Sequence, residues 1–113
     1  SVSGDITVNP WAGAITNTTG LGCLTEVTGK VDFSDVDDLP NLNGMTALTR
    51  IDGDLEIWGN DILTDISGLS SLTTVGGDVK IQLNDELCGS IVRAFVEGLT
   101  IGGATTIAGN ASC

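Results

Sequence analysis

The side chains able to do chemistry in this chain are carboxylates and thiols. Fifteen Asp and Glu stand against four Lys and Arg in 113 residues, with three cysteines and neither histidine nor tyrosine. Lacking the side chain that titrates near neutrality, the chain excludes Ser-His-Asp and Cys-His catalysts and histidine-bound zinc. Carboxylate pairs remain as an acid–base device of the kind that hydrolyses glycosides. Any acidic chain supplies such pairs, and solenoids that use them are longer and deeply cleft, so a protein that is not an enzyme and carries no cofactor is expected. Asp35, Asp37 and Asp38, close to Asp32, crowd one turn and are the calcium candidates. None of them lies in a D-x-[DN]-x-[DN]-G loop. Asx-turns on a solvated acidic surface explain them more simply, and no metal is assigned.

The net charge of −11 repels nucleic-acid phosphates and anionic membrane surfaces. It favours solubility, cations and basic partners. No apolar run approaches the ~20 residues that cross a bilayer, so no membrane insertion is expected. No signal peptide is evident, and a secreted chain is expected to stand here in mature form.

What positions these groups is a repeat. Glycines align at Gly4, Gly29, Gly53 and Gly77, with a weaker match at Gly103. Each precedes a short alternating segment, clearest in Asp54-Leu55-Glu56-Ile57 and Asp78-Val79-Lys80-Ile81. Period-2 alternation turns Val31 and Phe33, Leu55 and Ile57, Val79 and Ile81 to one side, and Asp32, Glu56 and Lys80 to the other. A strand recurring every 24 residues or so cannot bury its apolar face alone, whereas stacked copies bury a continuous core. The expected fold is mainly β: a short right-handed parallel β-solenoid of about five coils. Leu21-x-x-Leu24-x-x-Val27, Met45-x-x-Leu48-x-x-Ile51 and Leu69-x-x-Leu72-x-x-Val75 precede the strands. Their three-residue spacing fits a 3₁₀-like path with one side inward. The stretches Val36 to Gly44 and Asp61 to Gly68 read as polar turns. Asn60, Asn84 and Asn110 each lie seven residues after an aligned glycine and are expected to form a structural Asn ladder bonded to the turn backbone.

The pattern L-x-x-[IV]-x-G-D-[LV]-x-I-x-x-N, strongest from Leu48 to Asn84, resembles leucine-rich-repeat proteins, and more closely the receptor L-domain-like repeats of secreted and cell-surface proteins. The likeness runs from about Leu21 to Asn110. It implies a non-enzymatic recognition or scaffold module.

Residues 1–27 read as an irregular N-terminal coil, 28–87 as regular repeats, and 88–113 as a C-terminal cap of one single domain. Ser90 is the expected N-cap of a helix over about 90–98, stopped by Gly98. Cys88 and Cys113 bracket this cap and are expected to pair, which stabilises by roughly 3–4 kcal/mol in the chain-entropy model and points outside a reducing cytosol. Cys23 is then left over, either a semi-buried small residue or an intermolecular thiol.

Trp58 projects on the same outer face as Glu56, Lys80 and Asp32, and these four are the candidate interaction surface. Thr25, Thr49 and Thr73 form a single row, a minor pointer to an ice-binding face, for which paired rows are the rule. Asn17 and Asn110 begin N-x-[ST] sequons, the marks of a glycoprotein in a glycosylating pathway. Two non-catalytic extracellular functions fit: a structural protein that self-associates into a filament, fibre or surface layer, and a recognition or adhesion module binding a protein or glycan partner. The first strand, beginning at residue 4 with no evident N-cap, leaves a sheet edge or open coil that invites pairing and favours the first.

Overall fold

The structure, a computed structural model, describes residues 6–8, 23–36 and 39–113. The chain is mainly β, with one C-terminal helix, and alternates strand by strand between two parallel sheets. One sheet holds β1 (Ile6–Val8), β3 (Val31–Ser34), β5 (Leu55–Trp58), β7 (Val79–Gln82) and β9 (Thr105–Ala108), in that order. The other holds the two-residue strands β2 (Glu26–Val27), β4 (Arg50–Ile51), β6 (Thr74–Val75) and β8 (Thr100–Ile101). Every neighbouring pair of strands is parallel, which makes the arrangement solenoid-like.

The register repeats the sequence alignment. Val31, Leu55, Val79 and Thr105 fall in one row, and Phe33, Ile57, Ile81 and Ile107 in the next. The glycines two residues before β5, β7 and β9 (Gly53, Gly77 and Gly103) have a steric reason. A Cβ on Gly53 would sit 2.7 Å from the carbonyl carbon and oxygen of Gly29, so the two backbones can approach only without a side chain. The aspartates that follow tie one repeat to the next. Asp54 Oδ1 accepts the Asp78 N–H at 2.7 Å, and Asp78 Oδ1 accepts the Ala104 N–H at 2.9 Å.

The second sheet is an addition to the sequence reading, which placed only a 3₁₀-like path there. The 3₁₀ turns exist at Asn43–Met45 and Ser67–Leu69, but each runs on into a strand of the four-stranded sheet. The stretches read as polar turns also need correction. Leu39, Leu42 and Leu63 within them are fully buried, and Ile66 is 1% exposed. They continue the three-residue spacing upstream, so Leu39, Leu42, Met45, Leu48 and Ile51 line one wall of the core in succession.

Helix α1 spans Gly89–Glu97, with Cys88 rather than Ser90 at its N-cap and no side-chain capping bond. The first-turn N–H groups find backbone partners instead. Gly89 donates to the Ala111 carbonyl at 2.9 Å and Ser90 to that of Cys113 at 3.1 Å. The end of the chain therefore does the work of a cap. The Cys88–Cys113 disulfide, with its Cα atoms 5.4 Å apart, fastens that end beside the helix start. Val92 is buried, while Phe95, Val96, Leu99, Ile101 and Ile107 are only partly covered.

Candidate functional site

The outer face of the five-stranded sheet carries two cross-strand rows. In the first, Asp32, Glu56, Lys80 and Thr106 lie opposite one another in register. Carboxylates directly opposed across neighbouring strands repel. Lys30 relieves this, its Nζ lying 3.9 Å from Asp32 and 3.6 Å from Glu56. In the second row, Ser34, Trp58, Gln82 and Ala108 are aligned. The Ser34 hydroxyl bonds to Asp32, joining the two rows. Trp58 is half-buried between Ser34 and Gln82, and Lys80 is exposed. The face thus offers an indole, an amide, two carboxylates bridged by an ammonium, and a separate exposed ammonium. Such a set can stack on an apolar face and exchange hydrogen bonds with hydroxyls.

Behind that face the amides of the Asn row are internal. Asn60 and Asn84 are buried, and Asn110 is half-buried. Asn60 Nδ2 donates to Asn84 Oδ1 at 3.0 Å and to the Phe33 carbonyl at 2.9 Å, while Asn60 Oδ1 accepts the Val36 N–H at 2.9 Å. Asn84 repeats the scheme on Asn110 and the Ile57 carbonyl, both at 3.0 Å. Asn110 Nδ2, the atom a glycan would occupy, donates to the Ile81 carbonyl at 2.9 Å. Among the described residues no buried side-chain nitrogen or oxygen lacks a partner.

The threonine row is exposed, and its hydroxyls bond within the stack. Thr49 Oγ1 donates to the Thr25 carbonyl at 3.0 Å, and Thr73 Oγ1 to that of Thr49 at 3.2 Å. Cys23 is exposed with a free thiol. Asp35 is exposed and sits at φ 53, in the left-handed region. Asp37, Asp38 and Asn17 lie outside the described residues. Among the described residues no three acids or cysteines gather closely enough to hold a metal ion, and no helix is long and apolar enough to cross a membrane.

No family model, curated protein or solved structure matches this chain. The functional reading therefore rests on its own surfaces, and two were not singled out by sequence. The layer of β9 is one. Thr105, Thr106 and Ala108 of β9 are exposed and Ile107 is half-buried, whereas Val79 and Ile81, their neighbours in β7, are fully buried. Val79 and Leu83 donate to the carbonyls of Ala104 and Ala108 at 2.9 and 3.0 Å. Strand backbone groups alternate in direction, so the N–H and C=O of Thr105 and Ile107 point away from β7, to a side where no strand pairs with β9 among the described residues. The other surface is a groove of about 540 Å³ beside α1, lined by residues of the Asp65–Thr73 segment and of the helix. Ile91 stands 44% exposed at its edge. Its walls come from residues far apart in sequence, which no local pattern brings together.

Proposed function

We propose that this chain is a non-catalytic extracellular structural module, a subunit that self-associates through the end of its stack into a fibre or surface layer. In this reading it is a short right-handed solenoid of about five leucine-rich-repeat-like coils. The observation that carries the reading is the β9 edge: a strand with backbone groups directed outward and half-covered Ile101 and Ile107 behind it. An uncovered parallel edge is a template for another strand. Pairing one end against a different surface of the next copy is heterologous and propagates unless the rotation closes a ring. The Cys88–Cys113 disulfide supports an oxidising, extracellular setting.

Thr105→Pro tests this, because it removes an outward N–H while leaving the bonds to β7. Electron microscopy and light scattering over a concentration series should show assemblies of the parent chain and their loss in the variant. A parent chain that stays monomeric at high concentration sinks the proposal.

A second reading has its own observation. Trp58, Glu56, Asp32 and Lys80 share one outer face, with the indole beside Gln82, a chemistry suited to a glycan or a protein loop. Under this reading Trp58→Ala abolishes partner binding while thermal stability moves by only a degree or two.

A further inference from the structure

The groove beside α1 exists because the helix breaks the rhythm of the stack. The turn Ser67–Leu69 sits close upon the turn before it: Leu42 donates to the Asp65 carbonyl at 3.2 Å, and Gly68 leaves no room for a Cβ above the Leu42 backbone. In the next layer α1 takes the place of such a turn. A helix is about 10–12 Å across with its side chains and cannot settle as closely. The space it leaves is walled by the Asp65–Thr73 segment, whose Leu69 and Leu72 are almost wholly covered, on one side and by Ile91, Ala94 and Phe95 on the other.

Three properties fit this groove to a small ligand. Its volume, about 540 Å³, lies in the range of small-molecule sites, and its walls are mostly apolar. Among the described residues that line it, Asp65 is the one ionisable group. Its carboxylate is already oriented, accepting the Ser67 N–H at 2.8 Å. The chain as a whole, at −11, favours a cation.

We propose that this groove binds an amphiphilic amine, its hydrocarbon part against Ile91, Ala94 and Phe95 and its ammonium paired with Asp65. The site is separate from the β9 edge and from the Trp58 face, and stands whether or not the chain assembles.

Octylammonium chloride and sodium octanoate, titrated calorimetrically into the disulfide-intact chain below their micellar concentrations, test the proposal. Octylammonium should bind, with affinity rising by up to about fourfold per methylene from the butyl to the octyl amine. Octanoate should bind about fivefold more weakly or not at all. Asp65→Asn should lower octylammonium affinity about two- to fivefold. Ala94→Trp, at an exposed helix position, should fill the groove and abolish binding while leaving the circular dichroism spectrum unchanged. Equal binding of the two amphiphiles, no binding of either, or binding that survives in Ala94→Trp would overturn it. So would a concentration-dependent self-association lost only in Ala94→Trp, which would assign the groove to a second copy.

Discussion

Asn60 and Asn84, 24 residues apart in sequence, lie side by side in the core, the amide of the first donating to the oxygen of the second at 3.0 Å. The same Asn84 oxygen also accepts the Asn60 backbone N–H at 3.2 Å. One side chain thereby satisfies both a neighbour's amide and its backbone, in a place water does not reach. Buried networks of this kind are costly to break because each lost partner leaves a desolvated group behind.

Replacing Asn84 by Ala should therefore destabilise the chain by about 3–5 kcal/mol, combining unpaired polar groups with a small cavity. Urea denaturation should show the midpoint falling at an unchanged slope. A loss below about 1 kcal/mol would show the ladder to be dispensable.

Gly53 and Gly98 should respond oppositely to alanine. At Gly53 the new methyl meets the Gly29 backbone at 2.7 Å, and a cost of about 1–3 kcal/mol is expected. At Gly98 the backbone is right-handed, with φ −81, and the nearest atom lies 3.6 Å away. There the change should be neutral or stabilise by up to about 1 kcal/mol. Paired thermal melts check both.

Cys113→Ser should cost about 3 kcal/mol, since the disulfide closes a loop across a sequence separation of 25. Because Cys113 also supplies the carbonyl that receives the Ser90 N–H, amide exchange should quicken first at Gly89 and Ser90. Uniform acceleration throughout the core would contradict this local account.

Asp65 should titrate below the ordinary carboxylate range. The Ser67 hydroxyl and then the Ser67 N–H bond to its charged form and hold it there, against a small opposing effect of burial. A depressed folded-state pKa contributes stability above the unfolded value and loses it as pH falls through the folded one. Ser67→Ala should move the pKa part of the way back up, as the backbone bond persists. Carboxyl carbon shifts followed against pH measure both.

Glycine spacing and alternation carried the five-stranded sheet, because each strand is four residues long in β3, β5 and β7 and shows its period. Strands β2, β4 and β6 have two residues each, too few to display any period, and they form through backbone bonds to residues a full repeat away. Leu39, Leu42, Leu63 and Ile66 were legible in principle. Their three-residue spacing was masked by the Asn, Asp and Ser between them, which face outward. The backbone partners of the Asp54 and Asp78 carboxylates are Asp78 and Ala104, in the following repeat, where no local pattern points to them. Of the surfaces, the Asp32–Glu56–Lys80 row follows from alternation alone. The β9 edge and the α1 groove depend on how the last layer is closed, which composition does not encode.

The segment from Gly53 to Gly76 receives bonds from the repeat on one side and gives the same kinds of bond to the repeat on the other, at Thr49 and Thr73, Gly53 and Gly77, and Asn60 and Asn84. Its two boundaries share their backbone bonds and differ in the Asn row, where Val36 stands on one side and Asn84 on the other. A tandem duplication of these 24 residues would repeat the backbone bonds and the Asn–Asn bond, while setting Glu56 opposite Glu56 and Trp58 opposite Trp58 on the outer face. Growth by whole repeats is thus open to the backbone, and the outer side-chain rows set what must change with it.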